Sequence, residues 1–342
     1  MKFRMIANDF AIDLGTSTVS VYKKNEGLVL SEPSLMVLDE NSTKVLAVGN
    51  EAKEMLGKTP SNIHVVKPIV NGVITDFNLT EAMLNYFFNK INPGMSLIQP
   101  KVVISIPDGI TDIETRAIED AALHAGSREI ILAPQTLAQA FGMGLSPDDP
   151  RAILMVSMGA GTTEVSVLSL NGIVTNSSLK KGGDYIDEAI IDLFKKNKKL
   201  DIGKNTAENI KNNILSLRVK DGDLSMDVDG RDMISASPKT VEVKSRDLVE
   251  AVITYADEVM NMIYEVLEKT PPELTGDIRR DGFYLSGGFA NLKGIREYIE
   301  SKLKISSYIS EDPGLDAILG AGKILEEPDS CLLYTSPSPR DS

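Results

Sequence analysis

Two stretches a little under half the chain apart repeat one plan, and that repeat limits the folds open to this chain more than any other feature. The first runs from Phe10 to Val21 and contains Asp13-Leu14-Gly15-Thr16-Ser17-Thr18. The second runs from Leu154 to Val167 and contains Ser157-Met158-Gly159-Ala160-Gly161-Thr162-Thr163-Glu164. Each reads as an apolar strand, a tight turn of small and hydroxyl residues, and a second strand, closing on an identical Val-Ser-Val. Turns of this kind offer backbone N–H groups to an anion with no side chain in the way. One such turn usually just reverses a hairpin. A matched pair predicts a duplicated fold that grips a polyphosphate from both sides.

The size suits two lobes, since 342 residues exceed what one core usually organises. A net charge of −13 argues against a nucleic-acid partner, which would need a basic face, but not against a nucleotide. No stretch is apolar for long enough to span a bilayer, and Met1 to Ile6 lacks the apolar core of a signal peptide, so a cytoplasmic chain is expected. The single cysteine, Cys331, leaves no intramolecular disulfide framework and no cysteine-based metal cluster. It lies in a tail, 329–342, that reads like a translated sequencing adapter and is set apart as non-native, with a gene truncated near Glu327. A natural disordered tail would have similar Ser and Pro content.

Between the two turns, helical and strand patterns alternate as in an α/β protein. Strands are expected over 27–38, 44–48, 101–107, 129–132 and 153–178. Helices are expected from Asn50, from Asn78 or Thr80 to about Lys90, from Asp112 to Ala125, up to Gly142, from Asp184 to Lys195, from Thr206 to Leu217 and from Arg246 to Lys269. Polar strands should fill 218–243. The last of these helices puts Leu248, Val252, Ala256, Val259, Ile263 and Val266 on one face, a core stripe. Phe283 to Leu292 is a third strand-to-glycine turn, with Gly287, Gly288 and Phe289 ahead of a helix expected at about Leu292. Such a helix start would suit a phosphate or ribose.

These segments together resemble the MreB/Mbl family of bacterial actin homologues, within the actin, sugar kinase and DnaK-type ATPase superfamily. The resemblance covers about Phe10 to Leu325. It rests on the two turns, on Gly182-Gly183-Asp184, on Thr206 to Lys211, and on Leu267-Glu268-Lys269-Thr270-Pro271-Pro272-Glu273-Leu274, a phrase close to one distinctive of the family. It implies an actin-like, ribonuclease H-like duplicated two-lobe ATPase fold with four subdomains. These would be IA from 1–32, 66–145 and 312–328, IB from 33–65, IIA from 146–181 and 244–311, and IIB from 182–243. It also implies ATP and Mg2+ between the lobes. Gly15, Thr16, Ser17, Thr18, Gly159, Ala160, Gly161 and Thr162 would hold phosphate. Gly183, Asp184, Glu208, Lys211, Gly287, Gly288 and Phe289 would line the rest of the nucleotide. Asp13 would hold the metal through water, and Gln135 would face the attacking water.

The resemblance further implies paired polar protofilaments of the chain itself, on the inner face of the cell membrane, working with cell-wall synthesis and shape proteins. Met95, Leu97 and Ile98 match the family's membrane-insertion loop; tucking into the first lobe is the other reading of those apolar residues. Three departures bear on catalysis. Ser157 stands where the family usually has the Asp of the second loop, and a hydroxyl holds hydrated magnesium less well than a carboxylate. Gln135 replaces a Glu and can position water but cannot take its proton. Phe289 replaces a glycine and would narrow the approach to the nucleotide. Nucleotide binding with slowed hydrolysis follows, or else a non-hydrolysing paralogue that regulates or caps other filaments. A sugar kinase would need a catalytic carboxylate facing a sugar pocket, and a DnaK-type chaperone a further β domain; neither is evident.

Overall fold

The computed structural model describes residues 9–39, 44–91, 99–218 and 223–328. Two five-stranded sheets organise them, and both follow the same path. In the first, Gly27–Pro33, Thr18–Lys23 and Phe10–Leu14 form an antiparallel meander, and Lys101–Ile106 and Glu129–Pro134 continue it in parallel. In the second, Gly172–Leu179, Thr163–Ser169 and Ile153–Met158 form the meander, and Phe283–Ser286 and Ser307–Ile309 add the parallel pair. Even the register irregularity recurs, at Val21/Tyr22 and at Val167/Leu168. The duplication read from the two turns is therefore a duplication of whole sheets.

The central strands Phe10–Leu14, Lys101–Ile106 and Ile153–Met158 are apolar almost throughout because both of their faces are covered. One face of the first sheet packs on the helices Phe77–Ile91 and Asp112–His124, with Phe10, Met83, Phe87 and Ile104 wholly buried. One face of the second packs on the long helix Ser245–Lys269, whose Leu248, Val252, Ala256, Val259, Ile263 and Val266 are all buried as the periodicity requires. The two remaining faces, from Ala11 and Val103 on one side and Met155 and Leu168 on the other, share a core with two helices, Gln135–Gly142 and Asp316–Glu326. These helices meet backbone to backbone: a Cβ at Gly320 would stand 1.6 Å from the carbonyl oxygen of Ala138, and one at Gly142 would stand 1.9 Å from that of Asp316. Two smaller three-stranded sheets, Lys44–Val48 with Met36–Asp39 and Ile63–Val66, and Leu200–Asp201 with Ser225–Asp232 and Pro238–Lys244, project from the lobes.

Several boundaries differ from the sequence reading. The run 27–38 is two strands in two different sheets, broken after Pro33. The helix Phe77–Ile91 begins before Asn78 and Thr80, and Asp76 satisfies its start by accepting from Leu79 N at 3.0 Å. After Leu193 the helix widens into a π-turn, Phe194–Lys198, and the next helix spans Lys204–Ile214. The helix expected at Leu292 starts only at Ile295. Gly288–Asn291 is instead a 3-10 turn, and the α-helix start that lies against the third glycine turn is that of Asp316–Glu326, just ahead of which Pro313 O accepts from Gly287 N at 2.8 Å. Among the described residues no helix is long and apolar enough to cross a membrane. Met95, Leu97, Ile98 and the tail 329–342 lie outside the described residues.

Candidate functional site

A single cleft between the sheets gathers the predicted residues. Its walls include Asp13, Gly15 to Thr18, Gln135, Gly159 to Thr162, Gly183, Asp184, Glu208, Lys211, and Gly287 to Phe289. The two loops are built alike: Gly15 N donates to Thr18 O at 3.1 Å, and Gly159 N to Thr162 O at 2.8 Å. What brings them together is a hairpin tip the sequence reading passed over. Asn71 and Gly72, both with positive φ, turn between the two-residue strands Ile69–Val70 and Val73–Ile74. The Asn-Gly pair is a strong turn signal and was available to find it. Gly72 N donates to Thr16 Oγ1 at 3.0 Å. A Cβ on Gly161 would lie 2.5 Å from that same Oγ1 and 2.8 Å from Asn71 Cα, so the loops and the tip touch where only glycine fits.

The second loop is also held from behind. Gly183 N and Asp184 N donate to Gly159 O and Ala160 O at 3.0 and 2.8 Å. Asp184 pairs with Lys67, joining this segment to the first lobe. In the helix Lys204–Ile214, Glu208, Lys211 and Asn212 reach the cleft from one face. The Lys211 ammonium donates to Gly183 O at 3.1 Å and to Asp187 Oδ2 at 2.7 Å, and lies 5.9 Å from the centre of the Phe289 ring. Burial pushes the Asp187 carboxyl up to about 6, against the pull of Lys211. Phe289 lines the cleft, yet only 9% of it is exposed, and its ring packs on Tyr255 at 5.5 Å.

Register places the floor of the cleft. Asp13 pairs with Ser105, and Ser105 pairs with Ala133, one residue short of Pro134 and the helix start. Burial pushes the Asp13 carboxyl up to about 6, with the Ser105 hydroxyl acting the other way. Gln135 opens its helix with no side-chain cap of its own. Asp108 supplies one from the neighbouring loop, accepting from Thr136 N at 3.1 Å and from the Thr136 hydroxyl. The same carboxylate accepts from Ser166 Oγ of the second sheet at 2.6 Å, and Asp108 N donates to Glu164 Oε1 at 3.3 Å. Burial and the neighbouring Asp108 drive the Glu164 carboxyl well above the usual range. Four residues from Gln135 on the same helix, Gln139 also lines the cleft, and its Nε2 donates to Ser157 Oγ at 2.8 Å. Neither Asp108 nor Gln139 was a candidate from sequence; the four-residue spacing from Gln135 on one helix was a signal for Gln139, whereas the bonds of Asp108 to the second sheet form only between the lobes.

This donor set fits a nucleotide with a hydrated cation. Gly15, Gly159 and Gly161 give close backbone approach, while a Cβ on Gly288 would meet nothing within 4 Å, leaving that edge open. Among the described residues no group of three or more His, Cys, Asp or Glu is placed to grip a bare metal ion. The Asp13 carboxylate on the floor, with amide and hydroxyl groups around it, suits a cation that keeps its waters.

Comparisons with known proteins agree with this architecture. The family model described as MreB/Mbl protein matches residues 7–332. The chain is 39% identical over 325 residues to the cell shape-determining protein Mbl of Bacillus subtilis, covering 95% of this chain and 98% of the relative. It is 38% identical over 331 residues to the cell shape-determining protein MreB of Escherichia coli K12, covering 95% of each. Among solved structures, MreB 5 of Spiroplasma citri bound to AMPPNP superimposes with a TM-score of 0.90 at 30% identity, covering 94% of this chain and 97% of that one. A MamK double helical filament gives 0.79 at 20% identity, covering 94% and 99%, a likeness of fold alone. With a doubled sheet, a glycine-lined cleft between its halves and relatives matched along nearly their whole length, the chain belongs to the MreB/Mbl family and has its actin-like fold.

Proposed function

We propose that this chain binds ATP with magnesium in the cleft and polymerises into paired polar filaments that act in cell-shape determination. The observation that carries the reading is the meeting of the two matched glycine turns in one cleft, with every predicted nucleotide-contacting residue on its walls. The Mbl and MreB relatives named for cell shape, and the Spiroplasma protein bound to AMPPNP, support it. Gly15 to Thr18 and Gly159 to Thr162 would take the phosphates through backbone N–H groups and hydroxyls. Glu208, Lys211 and Gly287 to Phe289 would take the nucleoside. Asp13 would hold hydrated magnesium, which when bound neutralises phosphate charge. Gln135 would orient a water by hydrogen bonding without accepting its proton, so hydrolysis is slow.

Filaments adding head to tail make a heterologous contact that does not close. In the proposed setting they lie on the inner face of the cell membrane, cytoplasmic and peripheral, with Met95, Leu97 and Ile98 dipping in and multivalency making shallow insertion effective. Cell-wall synthesis proteins are the proposed partners there. The division into IA, IB, IIA and IIB at the boundaries given above belongs to the same reading.

A second reading, a nucleotide-binding paralogue that caps or regulates other filaments, draws on Ser157, whose buried hydroxyl supplies no charge. Electron microscopy of the chain on anionic vesicles, with ATP and magnesium or without nucleotide, tests both. Nucleotide-dependent filaments lying on the vesicles are expected. Bare vesicles despite measurable ATP binding would refute polymerisation and favour the capping role.

A further inference from the structure

The floor of the cleft holds one group whose chemistry is half used. Gln139 is 1% exposed, on a helix anchored between the two sheets, and its amide nitrogen is spent on Ser157 across the lobe boundary. Its amide oxygen, Oε1, is buried and has no hydrogen-bond partner. A buried acceptor left without a donor is costly, and native structures usually supply one. The side chain stands on the cleft wall with Asp13, on the same helix face as Gln135 one turn away, so donors brought by a ligand have a path to it.

We infer that Gln139 is a second holder of the divalent cation's hydration shell, with Oε1 accepting from a water of hydrated magnesium while Asp13 accepts from another. The assignment rests on the nucleotide reading given above. A hard cation that keeps its waters presents O–H donors and is served by carboxylate and amide oxygens alike. Ser157, too short and uncharged to take the role itself, becomes the positioning residue: by occupying Nε2 it orients the amide so that the oxygen is the free end. Because Gln139 comes from one sheet's helix and Ser157 from the other sheet's central strand, the first lobe's hold on the cation would depend on contact with the second. An amide carries no charge, so this hold is weaker than that of a carboxylate at position 157.

The test measures AMPPNP affinity in EDTA and in saturating magnesium, and takes the ratio, for the full chain and for Gln139→Met and Gln139→Glu. Methionine keeps the volume and removes the amide. The expected result is a ratio of magnesium to EDTA affinity cut about tenfold in Gln139→Met and raised in Gln139→Glu, whatever the affinity in EDTA alone. A lost packing role would shift both affinities equally and leave the ratio alone. An enhancement in Gln139→Met equal to that of the unaltered chain would overturn the inference while leaving nucleotide binding intact. So would nucleotide binding by the unaltered chain that magnesium does not strengthen. Failure of the unaltered chain to bind AMPPNP under either condition would overturn the nucleotide reading and this inference with it.

Discussion

Adding one methyl group at position 161 should separate the two matched glycine loops. In Gly161→Ala the new Cβ would meet Thr16 Oγ1 at 2.5 Å and Asn71 Cα and N at 2.8 and 2.9 Å. Two of these three contacts are backbone atoms of a tight hairpin, which cannot rotate aside as a side-chain end could. Relief requires the second loop to draw back from the hairpin tip, and that also strains the 3.0 Å bond from Gly72 N to Thr16. Overpacking of this kind costs about 1–3 kcal/mol and a lost hydrogen bond about 1 kcal/mol, so about 3 kcal/mol is the expected loss. At the usual unfolding entropy per residue, a chain of 342 residues should melt about 4 °C lower. Triphosphate affinity should fall as well, because the amides of the two loops no longer converge. Gly288→Ala is the control, since a Cβ there meets nothing within 4 Å and should leave the melting temperature unchanged. Differential scanning calorimetry without nucleotide, followed by titration with a fluorescent ATP analogue, reads both effects. If Gly161→Ala melted together with the unaltered chain, the contact between hairpin and loops would not constrain the site and the reasoning would be wrong.

Other perturbations probe the floor and edges of the cleft. Asp13 and Asp187 have carboxyl groups raised to about 6 by burial, so the stability they contribute is present at low pH and lost as pH rises through about 6. The nucleotide-free chain should therefore melt higher at pH 5 than at pH 7.5, and Asp13→Asn should reduce that difference; a melting temperature that falls between pH 7.5 and pH 5 refutes it. Ser157→Asp should speed phosphate release in a steady-state assay by at least severalfold, and an unchanged rate would refute the proposal that the missing carboxylate limits hydrolysis. Asp108→Ala removes the acceptor for Thr136 and Ser166 at the head of the Gln135 helix and should destabilise by about 3 kcal/mol, measured by urea unfolding. A loss under about 0.5 kcal/mol, the range of an ordinary surface substitution, would refute the role of that carboxylate as a clasp.

The parts of this molecule that could be read from the chain are those set by neighbours in sequence. Gly15 and Gly159 announce their turns because a strand on either side of a small-residue cluster is a local pattern. The core stripe of the helix Ser245–Lys269 is equally local. The third glycine turn misled because a helix start and a 3-10 turn look alike over four residues, and Pro33 broke a strand that composition alone would have run on to Leu38. Asp76 took the cap from Asn78 and Thr80 although all three can cap a helix; the choice depended on where the chain arrives from the Val73–Ile74 strand. Asp108 and Gln139 belong to a different class. Their roles exist only once two halves of the chain, each folded on its own pattern, are set face to face.

The carboxylate of Asp108 also has a mechanical meaning. It is pinned at the same time to the head of the Gln135 helix and to a strand of the opposite sheet, while Gly142 and Gly320 weld the helix pair at the far end. A body fastened along its floor cannot slide open; it must swing, with the fastened line as its axle. Displacement in a swing grows with distance from the axle, so a movement of a fraction of an ångström beside Gln135 becomes a larger one at the small outer sheets. If the chain adds to itself end to end as proposed, those outer sheets would register the state of the cleft as a change in pitch.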